Sequence, residues 1–215
     1  MTVLVAAVAA SFAYLRSGEP AWFQRLRYPL RYEQIVRGHA RNYRLDPALL
    51  AAVIYQESKF RADARSESGA IGLMQLRPDT AKGIAIRTGG SRFRTSDLYN
   101  PELNVRYGSW YLRHLLDKYD DEQTALAAYN AGQSNVDTWR AEGKGIQFAE
   151  TRAYVDRVEE LKGIYRHAYG EELSAASSAA RTYALAAATA SGVPHERQKP
   201  SAFRVSGSRQ HLSRY

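Results

Sequence analysis

Two pairs of an aspartate or asparagine followed by proline constrain the fold of this chain more than any other local feature. Asp46-Pro47 and Asn100-Pro101 each place a helix-capping side chain directly before a residue that fits the first turn of a helix. Helical spacing of apolar residues follows both pairs. No run of alternating apolar and polar residues indicates a strand. The sequence therefore predicts a mainly α fold.

The same signals predict a series of helices joined by short loops between residues 32 and 170. The predicted helices cover 32–43, 48–57, a segment that opens at 78, 101–119, 121–130 and 151–169. Gly132 and Gly170 are expected to end the last two of them, because glycine is the common residue just past a helix. We assign 32–170 to one folded domain.

The N-terminal segment has a different character. Residues 1–15 carry no charge, and Arg16 ends this apolar run. A membrane-spanning helix needs about 20 apolar residues, and a signal peptide normally starts with basic residues. The run is therefore either the remnant of an export signal or membrane anchor, or a tail that is merely apolar. We assign 1–31 to this segment and a linker.

The C-terminal segment, 171–215, is rich in serine and alanine up to about residue 192 and in proline, arginine, glutamine and serine after it. Such a composition buries too little apolar surface to offset the entropy of the ordered chain. We expect a basic, disordered tail.

The amino-acid composition excludes several kinds of functional site. The chain has no cysteine, which excludes disulfides, thiolate metal sites and a cysteine nucleophile, and its 5 histidines show no metal-ligand spacing. We therefore expect no metal and no cofactor. A net charge of +8 is explained either by solubility alone or by attraction to a polyanion. Charge alone does not choose among nucleic acid, anionic lipid and an acidic wall polymer.

A carboxylate and an amide stand out among apolar neighbours. Glu57 follows the apolar run in "AAVIYQESKF", and Gln75 lies within "GLMQL". A solvated helix end would explain Glu57, and an exposed loop would explain Gln75. A buried amide needs hydrogen-bond partners, so Gln75 also fits the wall of a cleft.

Two further stretches contain polar groups on otherwise apolar helices. Tyr129 and Asn130 close the helical turn in "ALAAYNAG", and Tyr154 lies on the apolar stripe of "ETRAYVDRV". A helix end explains Asn130 and core packing explains Tyr154 equally well when each stretch is taken alone.

Taken together, these stretches resemble the catalytic domain of the soluble lytic transglycosylases of bacterial cell walls, whose fold is related to goose-type lysozyme. The resemblance rests on "ESKF", "ARSESGAIGLMQLRPDTA", "DLYNPELNVRYGSWYLRHLL", "ALAAYNAG" and "ETRAYVDRV" in this order, and covers about 32–169. It implies a lysozyme-like helical domain with a substrate cleft. It also implies a monomer that acts on peptidoglycan glycan strands outside the cytoplasm, either secreted or anchored to the membrane.

The resemblance also implies roles for individual residues. Glu57 matches the single catalytic acid of the family. The residues that match substrate-binding positions are Ser66, Gly72, Leu73, Met74, Gln75, Tyr129, Asn130 and Tyr154. Arg77 is a difference, because many members have methionine at this place before the proline.

A single acid implies an unusual mechanism, since most glycosidases use two carboxylates. In the family, the muramic acid supplies its own 2-acetamido group and its own C6 hydroxyl, and the product is a 1,6-anhydro end. Glu57 would act first as the acid and then as the base. A pKa raised by apolar surroundings would suit this role.

Three alternatives stay open at this point. One is a lysozyme-type hydrolase on the same fold, with a water-activating group among Asp63, Glu67 and Asp79. Another is a non-catalytic wall-binding module. The third is a nucleic-acid-binding protein, which only the net charge supports, because the sequence contains no helix-turn-helix, RNP or zinc signature. We expect no nucleic-acid partner, and anionic membrane or wall polymers as further partners.

Overall fold

The computed structural model describes residues 19–90 and 92–174 as a mainly helical domain. Its elements are α1 (Ala21–Arg27), α2 (Glu33–Asn42), α3 (Pro47–Ser58), α4 (Pro78–Arg87), a 3-10 helix (Thr95–Tyr99), α5 (Pro101–Tyr119), α6 (Glu122–Ala131), α7 (Gln133–Ala141) and α8 (Ala149–Ser174). These residues contain no named β-strand; only isolated bridges pair Ile71 with Arg65 and with Leu76. The predicted mainly α class is confirmed.

Helix α3 forms the centre of the core. All seven residues from Ala48 to Ile54 are buried, with exposures of 0 to 3%, so this helix is surrounded by other elements on every side. Its start is fixed by Asp46, whose side chain accepts a hydrogen bond from the Ala48 amide at 2.8 Å. Helix α8 packs along it. The buried course of α3 carries Glu57, near its C-terminal end, to the edge of the core.

Helices α5 and α6 also begin where the sequence predicts. The side chain of Asn100 accepts a hydrogen bond from the Leu103 amide at 3.0 Å, and Asp121 accepts one from Thr124 at 2.9 Å. Helix α6 packs against both α5 and α8. Helix α7 was not predicted; it begins directly after Gly132, whose φ of 87° turns the chain out of α6.

The predicted stop at Gly170 is correct only in part, because the backbone leaves the helical conformation at Tyr169 but is helical again after it. Helix α8 continues to Ser174, with one kink at Tyr169, where φ is −132°. Tyr169 and Leu173 are buried, so packing against the core keeps the chain helical beyond the glycine. The predicted tail therefore begins inside a helix, and 175–215 lie outside the described residues.

Part of the predicted linker also belongs to the folded domain. Helix α1 packs on α8, where the Arg25 side chain donates a hydrogen bond to the Ala168 carbonyl at 2.8 Å. Tyr28 is 5% exposed, and its carbonyl accepts from the Tyr169 hydroxyl at 3.2 Å. The predicted export or anchor segment, 1–15, lies outside the described residues. Within 19–90 and 92–174, no helix has the length and apolar character needed to cross a bilayer.

Candidate active site

Glu57 lies one residue before the end of α3, where the chain turns sharply. Lys59 and Phe60 follow with φ values of 55° and 60°, a left-handed conformation that non-glycine residues seldom adopt. Phe60 is 1% exposed, so its burial in the core stabilises this turn. The Ser58 hydroxyl, also buried, donates toward the carbonyl of Leu73 at 2.8 Å. The helix end is thereby fixed against the loop that follows Gly72.

The carboxyl group of Glu57 is set in a largely apolar place. The Tyr154 hydroxyl donates a hydrogen bond to Glu57 Oε1 at 2.7 Å. Burial raises the pKa of Glu57 from 4.5 to about 7, although the Tyr154 hydrogen bond and the charge of Lys59 both lower it. Desolvation therefore outweighs the two favourable contacts, and Glu57 retains its proton up to neutral pH.

Two tyrosines lie beside this acid. Burial, and after it the charge of Glu57, raises the pKa of both Tyr129 and Tyr154 well above 10. Both phenols are therefore neutral donors, and Tyr129 donates to the Met74 carbonyl at 2.8 Å. Among the described residues, no second carboxylate contributes to the pKa shift of Glu57.

Gly72 allows the loop to approach the core closely. Its φ is 82°, and a Cβ atom there would lie 2.3 Å from both Asn104 Nδ2 and the Leu98 carbonyl oxygen. Only glycine fits both the backbone conformation and the available space. Gly72, which the sequence placed at a substrate-binding position, is thus required for a steric reason.

Asn104, which the sequence analysis did not identify, organises this loop. It is fully buried and donates to the carbonyls of Ile71 and Leu98 at 2.9 Å each. Its Oδ1 accepts from the Met74 amide at 2.8 Å. The available signal was a polar residue on the buried side of α5, in "NPELNVRYG", since such a residue must find partners.

Leu73 and Met74 support the site from inside the core. Both residues are 0% exposed, so their predicted contact with substrate would have to be made through backbone atoms. Apolar side chains next to the end of α3 are most stable when they are removed from water. Their contribution to the site is through the backbone, where their carbonyls accept from Ser58 and Tyr129.

Gln75 reaches a groove together with the pair that closes α6. Its Nε2 donates to the Gly72 carbonyl at 2.9 Å and to the Ala64 carbonyl at 3.2 Å. Asn130 Oδ1 accepts from Thr151 at 2.8 Å. The groove has a volume of about 200 Å³ and is lined by Gln75, Leu76, Arg77, Thr80, Tyr111, Tyr129, Asn130, Ala131 and Gly132.

Tyr111, another groove residue, was also missed. Its ring centroid lies 5.5 Å from that of Tyr129, and burial raises the pKa of its phenol. It belongs to α5, and only the packing of α5 on α6 brings the two rings together. Its flat, partly exposed ring suits contact with a sugar face.

Ser66 does not line this groove. Its hydroxyl accepts from the Ala70 amide at 2.9 Å and lies 2.9 Å from the Ser68 hydroxyl. These contacts close a turn in the loop between α3 and α4. The hydroxyl of Ser66 therefore makes its hydrogen bonds within its own loop.

The candidates for a second carboxylate are exposed. Asp63, Glu67 and Asp79 all lie at the surface, and Asp79 occupies the first turn of α4. Over 19–90 and 92–174, no group of three or more histidine, aspartate or glutamate side chains could hold a metal ion. The polar groups at the candidate site are therefore the carboxyl of Glu57, the phenols of Tyr129 and Tyr154, and the amides of Gln75 and Asn130.

Comparison with known proteins assigns this chain to a family. The sequence profile named "Transglycosylase SLT domain" matches residues 34–151, which include Glu57, the Gly72 loop and the Tyr129–Asn130 pair. This chain belongs to the transglycosylase SLT domain family. Its fold is the lysozyme-like helical fold of that family.

Individual members of the SLT family are similar to this chain over about two thirds of its length. The soluble lytic murein transglycosylase of Salmonella typhimurium is 32% identical over 158 residues, which are 68% of this chain and 24% of the relative. The membrane-bound lytic murein transglycosylase F of Pseudomonas fluorescens is 30% identical over 65% of this chain and 29% of its own length. The chain thus spans about a quarter of these relatives.

A solved structure of the SLT family superposes on this domain. The 70 kDa soluble lytic transglycosylase of Escherichia coli matches with a TM-score of 0.64 and 28% identity, over 72% of this chain and 27% of that structure.

Proposed function

We propose that this chain is a peptidoglycan lytic transglycosylase. It cleaves the β-1,4 bond between N-acetylmuramic acid and N-acetylglucosamine without consuming water and leaves a 1,6-anhydro-muramic end. The observation that carries the proposal is the environment of Glu57, a single carboxyl with a pKa of about 7 and a phenol donor at 2.7 Å. Such a group can give a proton and then take one back near neutral pH.

In the first step Glu57 is protonated and gives its proton to the glycosidic oxygen. The bond from that oxygen to the anomeric carbon breaks, and N-acetylglucosamine leaves with a free hydroxyl. The 2-acetamido oxygen of the muramic acid bonds to the anomeric carbon and stabilises the positive charge. Tyr154 remains bonded to the carboxylate of Glu57 and stabilises the ionised form.

In the second step the ionised Glu57 takes the proton of the C6 hydroxyl of the same sugar. The C6 oxygen attacks the anomeric carbon, and the bond to the acetamido oxygen breaks. Glu57 returns to its protonated state, so each cycle is balanced without water. The absence of a second carboxylate from the pKa shift of Glu57 in the described residues supports this route over hydrolysis.

The groove beside Tyr129 is suited to the sugars. Gln75 and Asn130 supply amide groups for the N-acetyl arms, and the rings of Tyr111 and Tyr129 supply apolar surface. Ser66, in the loop beyond α3, is the remaining residue that we propose contacts the substrate. We place the enzyme at the cell envelope, because soluble and membrane-bound lytic murein transglycosylases are both among its relatives.

Replacing the acid tests this proposal. Glu57→Gln keeps the shape of the side chain and loses the proton transfer, so activity on peptidoglycan should fall by about 10²-fold or more. Glu67→Gln is the matched control: an exposed carboxyl in the same loop region, whose loss should leave turnover unchanged. Near wild-type turnover of Glu57→Gln would overturn the proposal.

The free energy of unfolding shows whether Glu57→Gln loses activity through its chemistry or through a damaged fold. Because burial raises the pKa of Glu57 from 4.5 in the unfolded chain to about 7 in the folded one, the fold loses stability progressively as pH rises between these two values. Glu57→Gln should therefore be more stable than the wild type above pH 7, by up to about 3 kcal/mol, and the difference should vanish as pH falls toward the lower value. Thermal unfolding across pH measures this difference.

A further inference from the structure

Arg77 lies where two cavities meet. On one side it lines the groove that contains Gln75, Tyr129 and Asn130. On the other side it lines a second cavity, of about 420 Å³, between the loop that follows α3 and the 3-10 helix. A ligand that occupies the groove and continues past Arg77 therefore enters this second cavity.

The second cavity has polar walls and an excess of positive charge. The side chains that define its chemistry are Arg65, Arg77, Asp79, Thr95, Ser96 and Tyr99. The lining thus includes two guanidinium groups and one carboxylate. A concave surface with like charges concentrates the positive potential inside it and attracts anions.

Within 19–90 and 92–174, neither guanidinium pairs with a carboxylate. Among the described residues, no ion pair and no side-chain hydrogen bond involves Arg65 or Arg77, although other arginines such as Arg37 and Arg166 pair with carboxylates. Asp79 shares the cavity without pairing with either of them. The hydroxyls of Thr95 and Ser96 are likewise without a partner in the described parts of the chain. These donors are available to a ligand.

The donors suit an oxyanion, and the proposed substrate supplies one as a carboxylate. A guanidinium presents paired N–H groups that match the two oxygens of a carboxylate, and each hydrogen bond is assisted by charge. Peptidoglycan carries carboxylates only on the arm attached to O3 of its muramic acid. In strands with stem peptides they belong to the peptide, and in strands without peptides the lactyl group itself is the carboxylate.

We propose that Arg77, together with Arg65, binds a carboxylate on the O3 arm of muramic acid and makes this cavity a specificity site for the anionic part of the substrate. The inference rests on the proposed transglycosylase function and extends it from the sugar backbone to its side arm. Arg77 is a binding residue here, since the reacting atoms lie at Glu57.

The test compares variants of the full chain on three ligands. The strands used are glycan with stem peptides, the same glycan after an amidase has removed the peptides, and a neutral N-acetylglucosamine oligomer as a competitive inhibitor. Arg77→Gln should raise KM about 10-fold on at least one anionic strand, with kcat within about 2-fold, because the contact is equal in ground and transition states. Inhibition by the neutral oligomer should be unchanged. Arg65→Gln should act in the same direction.

The control is Arg41→Gln, which removes the same charge from an exposed arginine on α2, away from both cavities. A rise of KM only on intact strands assigns the site to the stem peptide, and a rise only on stripped strands assigns it to the lactyl carboxylate. Equal KM values for Arg77→Gln and Arg41→Gln on both strands, or equal weakening of the neutral oligomer, would overturn the proposal. If the wild type cleaves neither strand, the proposed function fails instead.

Discussion

Tyr154 adjusts the proton affinity of Glu57 at the scale of single residues. Burial and the hydrogen bond from Tyr154 act on the acid in opposite directions: burial raises its pKa and the phenol lowers it. The balance leaves the pKa at about 7. A group that must serve as acid and then as base works best with a pKa close to the working pH.

Tyr154→Phe should move the alkaline limit of activity. Phenylalanine keeps the apolar ring against Glu57 and removes the donor at 2.7 Å, so the pKa of Glu57 should rise above 7. Because the first step needs the protonated acid, kcat/KM should then persist to higher pH than in the wild type. A pH–rate profile measures the shift.

Tyr165→Phe provides the control for that profile. Tyr165 lies on the same helix, is fully buried, and donates to the Pro29 carbonyl at 3.3 Å rather than to Glu57. It should leave the alkaline limit unchanged. A Tyr154→Phe profile that is lower at every pH but keeps its midpoint would contradict the assigned role and leave Tyr154 as a packing residue.

At the scale of elements, the loop between α3 and α4 is positioned by its contact with α5. Asn104 bonds to the backbone at Ile71, Met74 and Leu98, and Gly72 leaves the space that these bonds need. The loop therefore contributes to the site only if α5 is in place. This arrangement fixes the groove residue Gln75 on a rigid support.

Two glycines in this loop distinguish the cost of a left-handed backbone from the cost of placing a Cβ atom in a filled space. Gly69 and Gly72 have φ values of 83° and 82°, but a Cβ at Gly69 meets nothing within 4 Å, whereas one at Gly72 meets Asn104 and Leu98 at 2.3 Å. Gly69→Ala should cost about 1–2 kcal/mol, and Gly72→Ala should cost about 1–3 kcal/mol more. Urea unfolding measures both losses. Equal losses would show that the close approach to α5 is relieved at no cost.

The helices themselves followed from local signals, because a cap and a proline act within one turn. Asp46-Pro47 and Asn100-Pro101 therefore predicted the starts of α3 and α5 correctly. The burial of Leu73 and Met74 was not predictable in this way, since it depends on how distant helices pack. The same holds for the hydrogen bond between Glu57 and Tyr154, which joins residues 97 positions apart.

At the scale of the whole molecule, the folded unit extends beyond the stretch that carries the family motifs. The profile of the SLT family covers 34–151, but α1 and the last turns of α8 pack together through Arg25 and Tyr169. Tyr28 and Leu173 are buried by this packing. Composition suggests a linker and a tail at these places, because each segment is short and is buried only by packing against distant parts of the chain.

The chemical identity of the product distinguishes attack by the C6 hydroxyl from attack by water. We would digest purified peptidoglycan with the full chain in water labelled with oxygen-18 and analyse the fragments by mass spectrometry. We expect muramic ends that are one water lighter than reducing ends, resist borohydride and contain no label, since the C6 hydroxyl of the sugar replaces water. Labelled reducing ends would contradict it and would identify a hydrolase whose water-activating group lies elsewhere in the chain.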